Sequence, residues 1–234
     1  MIPLSASVKS RRFPIMNTTI IFINFLIFLQ QVQLSPEETH QLVNNYGAIP
    51  AEFVGGITLF LEGNPQFALL LPGATLSLFT SIFLHGGWLH LLGNMIYLWV
   101  FGDSIEDRLG SLRYLGVYLF MGAGGSLFHI LFNPLSDTPL VGASGAIAGV
   151  LGIYFLTFPQ ARVLTLLPLG FFITFIYVPA ILFLGLWFLL QLLNAVGAQA
   201  LDGSAQAVAW WAHVGGFLLG VLIAIHGQLA AKKR

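Results

Sequence analysis

Six stretches of this 234-residue chain are apolar and almost free of charge: roughly residues 17–34, 84–102, 112–132, 143–159, 178–196 and 207–227. A helix needs about 20 mostly apolar residues to cross the hydrocarbon core of a bilayer. The spacing therefore predicts an all-α, polytopic membrane protein with six transmembrane helices. Charged residues make up 8% of the chain and hydrophobic ones 57%, whereas an average soluble chain is about one quarter charged. A soluble globular fold is excluded on that ground. The fourth stretch is short and rich in Gly and Ala, as expected of a helix buried among its neighbours rather than facing lipid.

The charges orient the six spans. With the N-terminus in the cytoplasm, Lys9, Arg11, Arg12, Arg108, Arg113, Arg162, Lys232, Lys233 and Arg234 all fall inside. The outside loops hold Glu37, Glu38, Glu52, Glu62, Asp137 and Asp202. Basic residues concentrate on the cytoplasmic side of membrane proteins, so both termini are expected there. An odd number of spans would break the pattern. The apolar run Ile20–Leu29 follows Lys9, Arg11 and Arg12 as a signal peptide would. No small-residue cleavage site comes after it, so it reads as a retained span.

The layout is a cytoplasmic tail over 1–16, a six-helix domain over 17–229 and a basic tail over 230–234. There is no internal repeat. The loop over 35–77 is long, and its apolar patches suggest that it dips into the membrane interface. The Gly- and Pro-interrupted segment 163–177 is expected to lie along the inner interface or to extend the fifth helix. No cysteine is present, which excludes disulfides and thiolate metal sites. Net charge is zero and no basic run is long enough for nucleic acid. The expected surroundings are the lipid bilayer, in a multi-pass protein of the inner (plasma) membrane of a cell.

Within this topology the second, fourth and sixth spans all run from outside to inside. Their starts carry His85, His90 and Asn94; Ser144; and His213. Five polar side chains from three distant segments thus share one depth. Ionisable groups inside a membrane are costly and by default mark function. Serine and histidine together suffice for nucleophilic acyl transfer, with Ser144 as nucleophile and His213 as general base and acid. Ser144 heads a helix, where free N–H groups favour an anion. His90 and Asn94, four residues apart, share a helix face and could donate to an oxyanion. No carboxylate lies at that depth, so the reading is a Ser–His dyad. In the sixth span Gly216 and Gly220 lie on the face of His213. With Gly145 in the fourth span, they permit close helix packing of the kind small residues allow.

Each feature also has an ordinary explanation. Gly142-Ala143-Ser144-Gly145 alone is weak, glycine pairs commonly serve packing, and a lone intramembrane histidine commonly bonds a carbonyl. His85 and His90 are five apart with no carboxylate to join them, so no metal is expected. His129 borders the cavity at the outer end of the third span. His40 and His226 read as a loop and an inner-interface residue. Trp88, Trp210 and Trp211 read as an interfacial belt, and Trp187 and Phe188 as lipid-facing or gate-like bulk.

The combined pattern resembles the rhomboid intramembrane serine proteases. It comprises His85-x₄-His90-x₃-Asn94, Gly142-x-Ser144-Gly145 and Ala212-His213-x₂-Gly216-x₃-Gly220, with the Phe101–Ser111 junction between the second and third spans. The likeness covers roughly residues 79–222. It implies a rhomboid-like six-helix bundle, with a water-filled cavity open to the outer side and no cofactor. His90 and Asn94 would be its oxyanion partners, with His85, Gly142, Gly145, Gly216 and Gly220 supporting. Its substrates would be transmembrane helices of membrane proteins, cut near their outer ends. The fifth helix would be the side of entry, with Trp187 and Phe188 as gate. The six-span layout looks like a bacterial or archaeal member. One departure is the absence of a Trp-Arg pair in the 35–77 loop. Two other functions compete: a catalytically inactive rhomboid-like protein that binds membrane helices, and a small transporter. The transporter would want polar residues along a through-path, yet here they cluster at one end.

Overall fold

The computed structural model describes residues 1–169, 172–200 and 208–232. Asp202 of the last expected outside loop, residue 207 of the sixth expected span, and Lys233 and Arg234 of the basic tail lie outside the described residues. The chain begins with a strand, β1 (Ile2–Ala6), inside the segment expected as a tail. Helix α1 (Ile15–Gln31) follows. The long 35–77 loop is largely helical: α2 (Pro36–Tyr46), α3 (Pro50–Leu61) and α4 (Phe67–Thr80). Proline opens both α2 and α3, where its missing N–H costs no hydrogen bond. Ser35 and Glu38 form a reciprocal capping box at the start of α2.

After a short 3₁₀ turn at Ser81–Phe83 come α5 (Trp88–Leu109), α6 (Ser111–Phe132) and α7 (Ser144–Thr157). Strands β2 (Arg162–Leu169) and β3 (Phe172–Pro179) precede α8 (Ala180–Ala200) and α9 (Trp210–Lys232). Each of the six expected spans therefore carries a helix. By length and composition α6, α8 and Trp210–Gly227 of α9 could each cross a membrane. Phe67–Phe83 and Trp88–Leu109 meet that test only together, and they are bent by 81°. Helix α1 is shorter. Helix α7 has only 14 residues, about 21 Å of rise against the ~30 Å hydrocarbon core. Residues Gly145 to Tyr154 of α7 are all buried, enclosed by α5, α6, α8 and α9. A helix with no lipid-facing side need not match the bilayer.

The alternative in which 163–177 extends the fifth helix is corrected. Its described residues, 163–169 and 172–177, fold with β1 into a three-stranded antiparallel sheet, ordered β1-β2-β3, with Arg162 opposite Pro179 and Leu169 opposite Phe172. A short apolar run does not distinguish strand from helix by periodicity. Here the β-branched and aromatic residues Val163, Thr165 and Phe172 to Val178 favour the pleated arrangement, and Pro168 opposes a continuous helix. The fold is thus mostly helical, with a small sheet added.

Between α1, α5 and α6 lies a buried polar network. The Glu106 carboxylate accepts from the free N–H groups of Met16 (3.0 Å) and Asn17 (2.7 Å) in the first turn of α1, and from the Ser111 hydroxyl (2.5 Å) at the start of α6. The Asn17 side chain accepts from the Tyr114 hydroxyl at 2.7 Å and donates to the Leu98 carbonyl at 3.1 Å. One carboxylate so closes two helix starts, where negative charge is favourable. Glu106→Ala should lower stability by about 2–4 kcal/mol, because it leaves buried donors without partners. A thermal unfolding scan of the detergent-solubilised variant measures this, and an unchanged midpoint would show the network to be energetically idle.

Candidate active site

Helix α7 brings Ser144 to its first position, with Ala143 as the flanking residue. The approach is made by Gly142, whose φ of +125° suits glycine. A Cβ there would also lie 2.7 Å from the His90 ring. The Gly142 N–H donates to the Ser81 carbonyl at 2.9 Å, which fastens the loop to the 3₁₀ turn. The first-turn N–H groups of α7 have no partner within the helix.

Helix α9 brings His213 to Ser144. Its Nε2 lies 2.8 Å from the Ser144 Oγ. That approach depends on glycine. Cβ atoms at Gly216 and Gly220 would lie 2.0 Å from the carbonyl oxygens of Gly145 and Gly149, so backbone rests directly on backbone. At Gly152 a Cβ would meet the Phe217 carbonyl at 2.2 Å.

Helix α5 supplies His90 and Asn94. Both line a cavity of about 550 Å³ together with Ser144, His213, Tyr97, Trp187 and Gln191. The Gly86 N–H donates to His90 Nδ1 at 3.3 Å. The neutral ring then carries its proton on Nε2, the atom that faces Gly142. Asn94 is buried, and its Nδ2 has no partner among the described residues. It would lie 3.6 Å from a Cβ on Gly142. Two donors thus converge beside the serine, as an oxyanion requires.

His85 lies just before α5, in the bend between the 3₁₀ turn and the helix. It is buried, does not border the 550 Å³ cavity, and packs edge-on against His90 with ring centroids 5.1 Å apart. Gln31 of α1 holds its backbone from both sides, accepting from the N–H at 3.1 Å and donating to the carbonyl at 3.3 Å. His129 and His90 both border a smaller adjoining cavity of about 170 Å³.

The sequence reading found no third partner for His213. Among the described residues no carboxylate lines the cavity, but the Gln191 Oε1 of α8 lies 2.8 Å from His213 Nδ1. A signal existed: Gln191 and Asn194 are the two amides in the expected span 178–196, and a polar group in such an apolar run is costly unless it is used. One aromatic expectation is corrected. Trp211 is not part of an interfacial belt but is buried, stacked on Phe132 at 3.8 Å and donating to Gln199 at 3.2 Å. Phe188 is half-buried and stacks on Phe217 of α9 at 4.5 Å. Trp187 faces the cavity, its ring centroid 6.1 Å from that of His213.

A family model for the Rhomboid domain matches residues 72–228. Rhomboid protein 1, mitochondrial, of Saccharomyces cerevisiae is 32% identical over 166 residues, which cover 68% of this chain and 44% of that protein. Rhomboid protease GluP of Bacillus subtilis is 41% identical over 95 residues, covering 41% of this chain and 18% of that one. Putative rhomboid protease YdcA of the same organism is 43% identical over 77 residues, covering 33% and 38% respectively. The matched segments thus span less than half the length of each of these relatives.

Proposed function

The chain belongs to the rhomboid family, and from that premise we propose that it is an intramembrane serine endopeptidase acting on transmembrane helices of other membrane proteins. The observation that carries this reading is the 2.8 Å contact between Ser144 Oγ and His213 Nε2 beside a cavity of about 550 Å³. A nucleophile and its base within hydrogen-bond reach are the signature of covalent acyl transfer.

The steps follow from the placement of the groups. Ser144 attacks the scissile carbonyl carbon while its proton passes to Nε2 of His213. The carbonyl oxygen becomes an oxyanion that accepts from His90 Nε2–H, Asn94 Nδ2–H and the free N–H groups at the start of α7. Collapse breaks the C–N bond, and the imidazolium returns its proton to the leaving amine. Water then hydrolyses the acyl-enzyme by the same route in reverse. Gly142, Gly145, Gly216 and Gly220 act by allowing the backbones to come close, and His85 by supporting the His90 ring.

The orientation proposed has six spans and both termini in the cytoplasm, with the active site toward the outer side of the plasma membrane. The one-sided gathering of basic residues supports it. The test is reconstitution in liposomes with a panel of single-span substrates, with product masses locating the cut. Cuts near the outer ends of the spans are expected. A wild-type protein that neither cleaves any of them nor reacts at Ser144 with a fluorophosphonate would instead be a helix-binding relative without catalysis.

Asn94→Ala should lower kcat by about 10²–10³, the usual cost of one oxyanion donor, with little change in KM. Unaltered turnover in that variant would remove Asn94 from the oxyanion site.

A further inference from the structure

We infer that Gln191 of α8 is a positioning residue for this site: its amide oxygen accepts from His213 Nδ1–H and holds the imidazole in the tautomer whose Nε2 can take the Ser144 proton. The inference rests on the protease reading above and adds a third member from a helix that the sequence left out of the chemistry.

The assignment of hydrogens is closed by elimination. Gln191 Nε2 lies 3.2 Å from the carbonyl oxygen of Trp187, one turn earlier on the same helix. A carbonyl oxygen can only accept, so the NH₂ end of the amide must face it. The amide oxygen is then the atom 2.8 Å from His213 Nδ1. That oxygen can only accept, so Nδ1 must carry the hydrogen. A neutral imidazole has one N–H, which leaves Nε2 with a lone pair, directed at the Ser144 hydroxyl 2.8 Å away. The chain of donors runs in one direction, from Ser144 through His213 to Gln191.

An amide is ordinarily a poor substitute for the carboxylate of a catalytic triad. In chymotrypsin-type enzymes it costs about 10⁴ in kcat, because it settles in the orientation that selects the wrong tautomer. Here the Trp187 carbonyl opposes that rotation, since a flipped amide would set oxygen against oxygen. Two indoles fix the ring itself. Trp187 lies at 6.1 Å with a 32° tilt, and Trp210 lies edge-on at 5.9 Å. Gln191 is buried, so water does not compete freely for its oxygen.

The proton path balances. Ser144 gives one proton to Nε2, the imidazolium keeps its Nδ1–H on Gln191, and the Nε2 proton leaves with the amine. A neutral amide adds no counter-charge, so its contribution is orientation and tautomer. Among the described residues, His90 of α5 lines the same cavity as His213 and His129 of α6 borders the smaller cavity that His90 shares; α7 and α8 present Ser144, Trp187 and Gln191.

Two measurements test this. The first compares kcat, KM and the fluorophosphonate labelling rate of Ser144 for wild type, Gln191→Leu and Gln191→Glu in liposomes. Gln191→Leu keeps the bulk and removes the acceptor. It should lower kcat and the labelling rate together by about 10²-fold while KM stays within about twofold. Gln191→Glu restores an acceptor and should recover most of the loss. The second is ¹⁵N-histidine NMR of the wild-type protein, with the His213 signals assigned by their loss in His213→Ala. The proton is expected on Nδ1. A Leu variant with wild-type kcat, or a wild-type His213 protonated on Nε2 alone, overturns the inference. The NMR arm decides it even if Gln191→Leu does not fold. A wild-type protein that neither cleaves nor labels would count against the protease reading instead, and the tautomer would still be read.

Discussion

Ser144→Ala is expected to abolish cleavage of every single-span substrate, with a fall in kcat of about 10⁵–10⁶, while the protein stays folded. Removing the nucleophile of a serine protease costs about 10⁶ in kcat, and what remains comes from the oxyanion donors and substrate binding. The fold should tolerate the change. The hydroxyl faces the cavity and its hydrogen bond is to His213, so alanine leaves neither a packing void nor a new buried charge. The check pairs product analysis by mass spectrometry with a thermal unfolding scan. Undiminished cleavage by Ser144→Ala would falsify the serine mechanism. Lost cleavage with a collapsed unfolding midpoint would instead mean that the variant reports on folding.

Gly216→Ala should have the second largest effect, and by a different route. A single methyl added there would lie 2.0 Å from the Gly145 carbonyl oxygen and 3.0 Å from the Gly145 carbonyl carbon. Both are backbone atoms of α7 and cannot rotate away. Helices α7 and α9 must therefore separate, and the hydrogen bond between Ser144 and His213 sits at that same contact. Overpacking of this kind costs about 1–3 kcal/mol, occasionally more. A displacement of ~1 Å between reacting groups can cost about 10² in rate. The expected outcome is an unfolding midpoint several degrees lower, together with a fall in kcat of at least about 10². By contrast, Gly227→Ala meets no neighbouring atom within 4 Å and serves as the matched control on the same helix. If Gly216→Ala matches that control in both readouts, the backbone-to-backbone account of the α7–α9 contact is wrong.

The two variants separate what could be read from the chain before any coordinates. Ser144 and His213 were visible because a hydroxyl and an imidazole stand out in apolar runs, and because charge patterning predicts one depth for both. The glycines of α9 were visible as a stripe on the face of His213. The bend at His85 was not visible because the apolar run continues through it, whereas the helices on either side are bent by 81°. Segment 163–177 was not recognised as strand because period-based signals weaken when nearly every residue is apolar; β propensity and Pro168 then decided its form. Gln191 was passed over because its partner lies 22 residues away on another helix. Its chemical meaning depends on how α8 is rotated about its own axis.

Sequence by itself determined the membrane class, the helical character and which polar groups stand out in apolar runs. Those follow from the cost of placing charge and unpaired backbone in hydrocarbon, which acts on each segment separately. Only the tertiary structure decided which faces meet. The 2.8 Å contacts of His213 with Ser144 and with Gln191 are set by the rotation and separation of three helices. Those quantities are fixed by packing between segments, in which every glycine and every ring must fit at once, and no single segment carries that information.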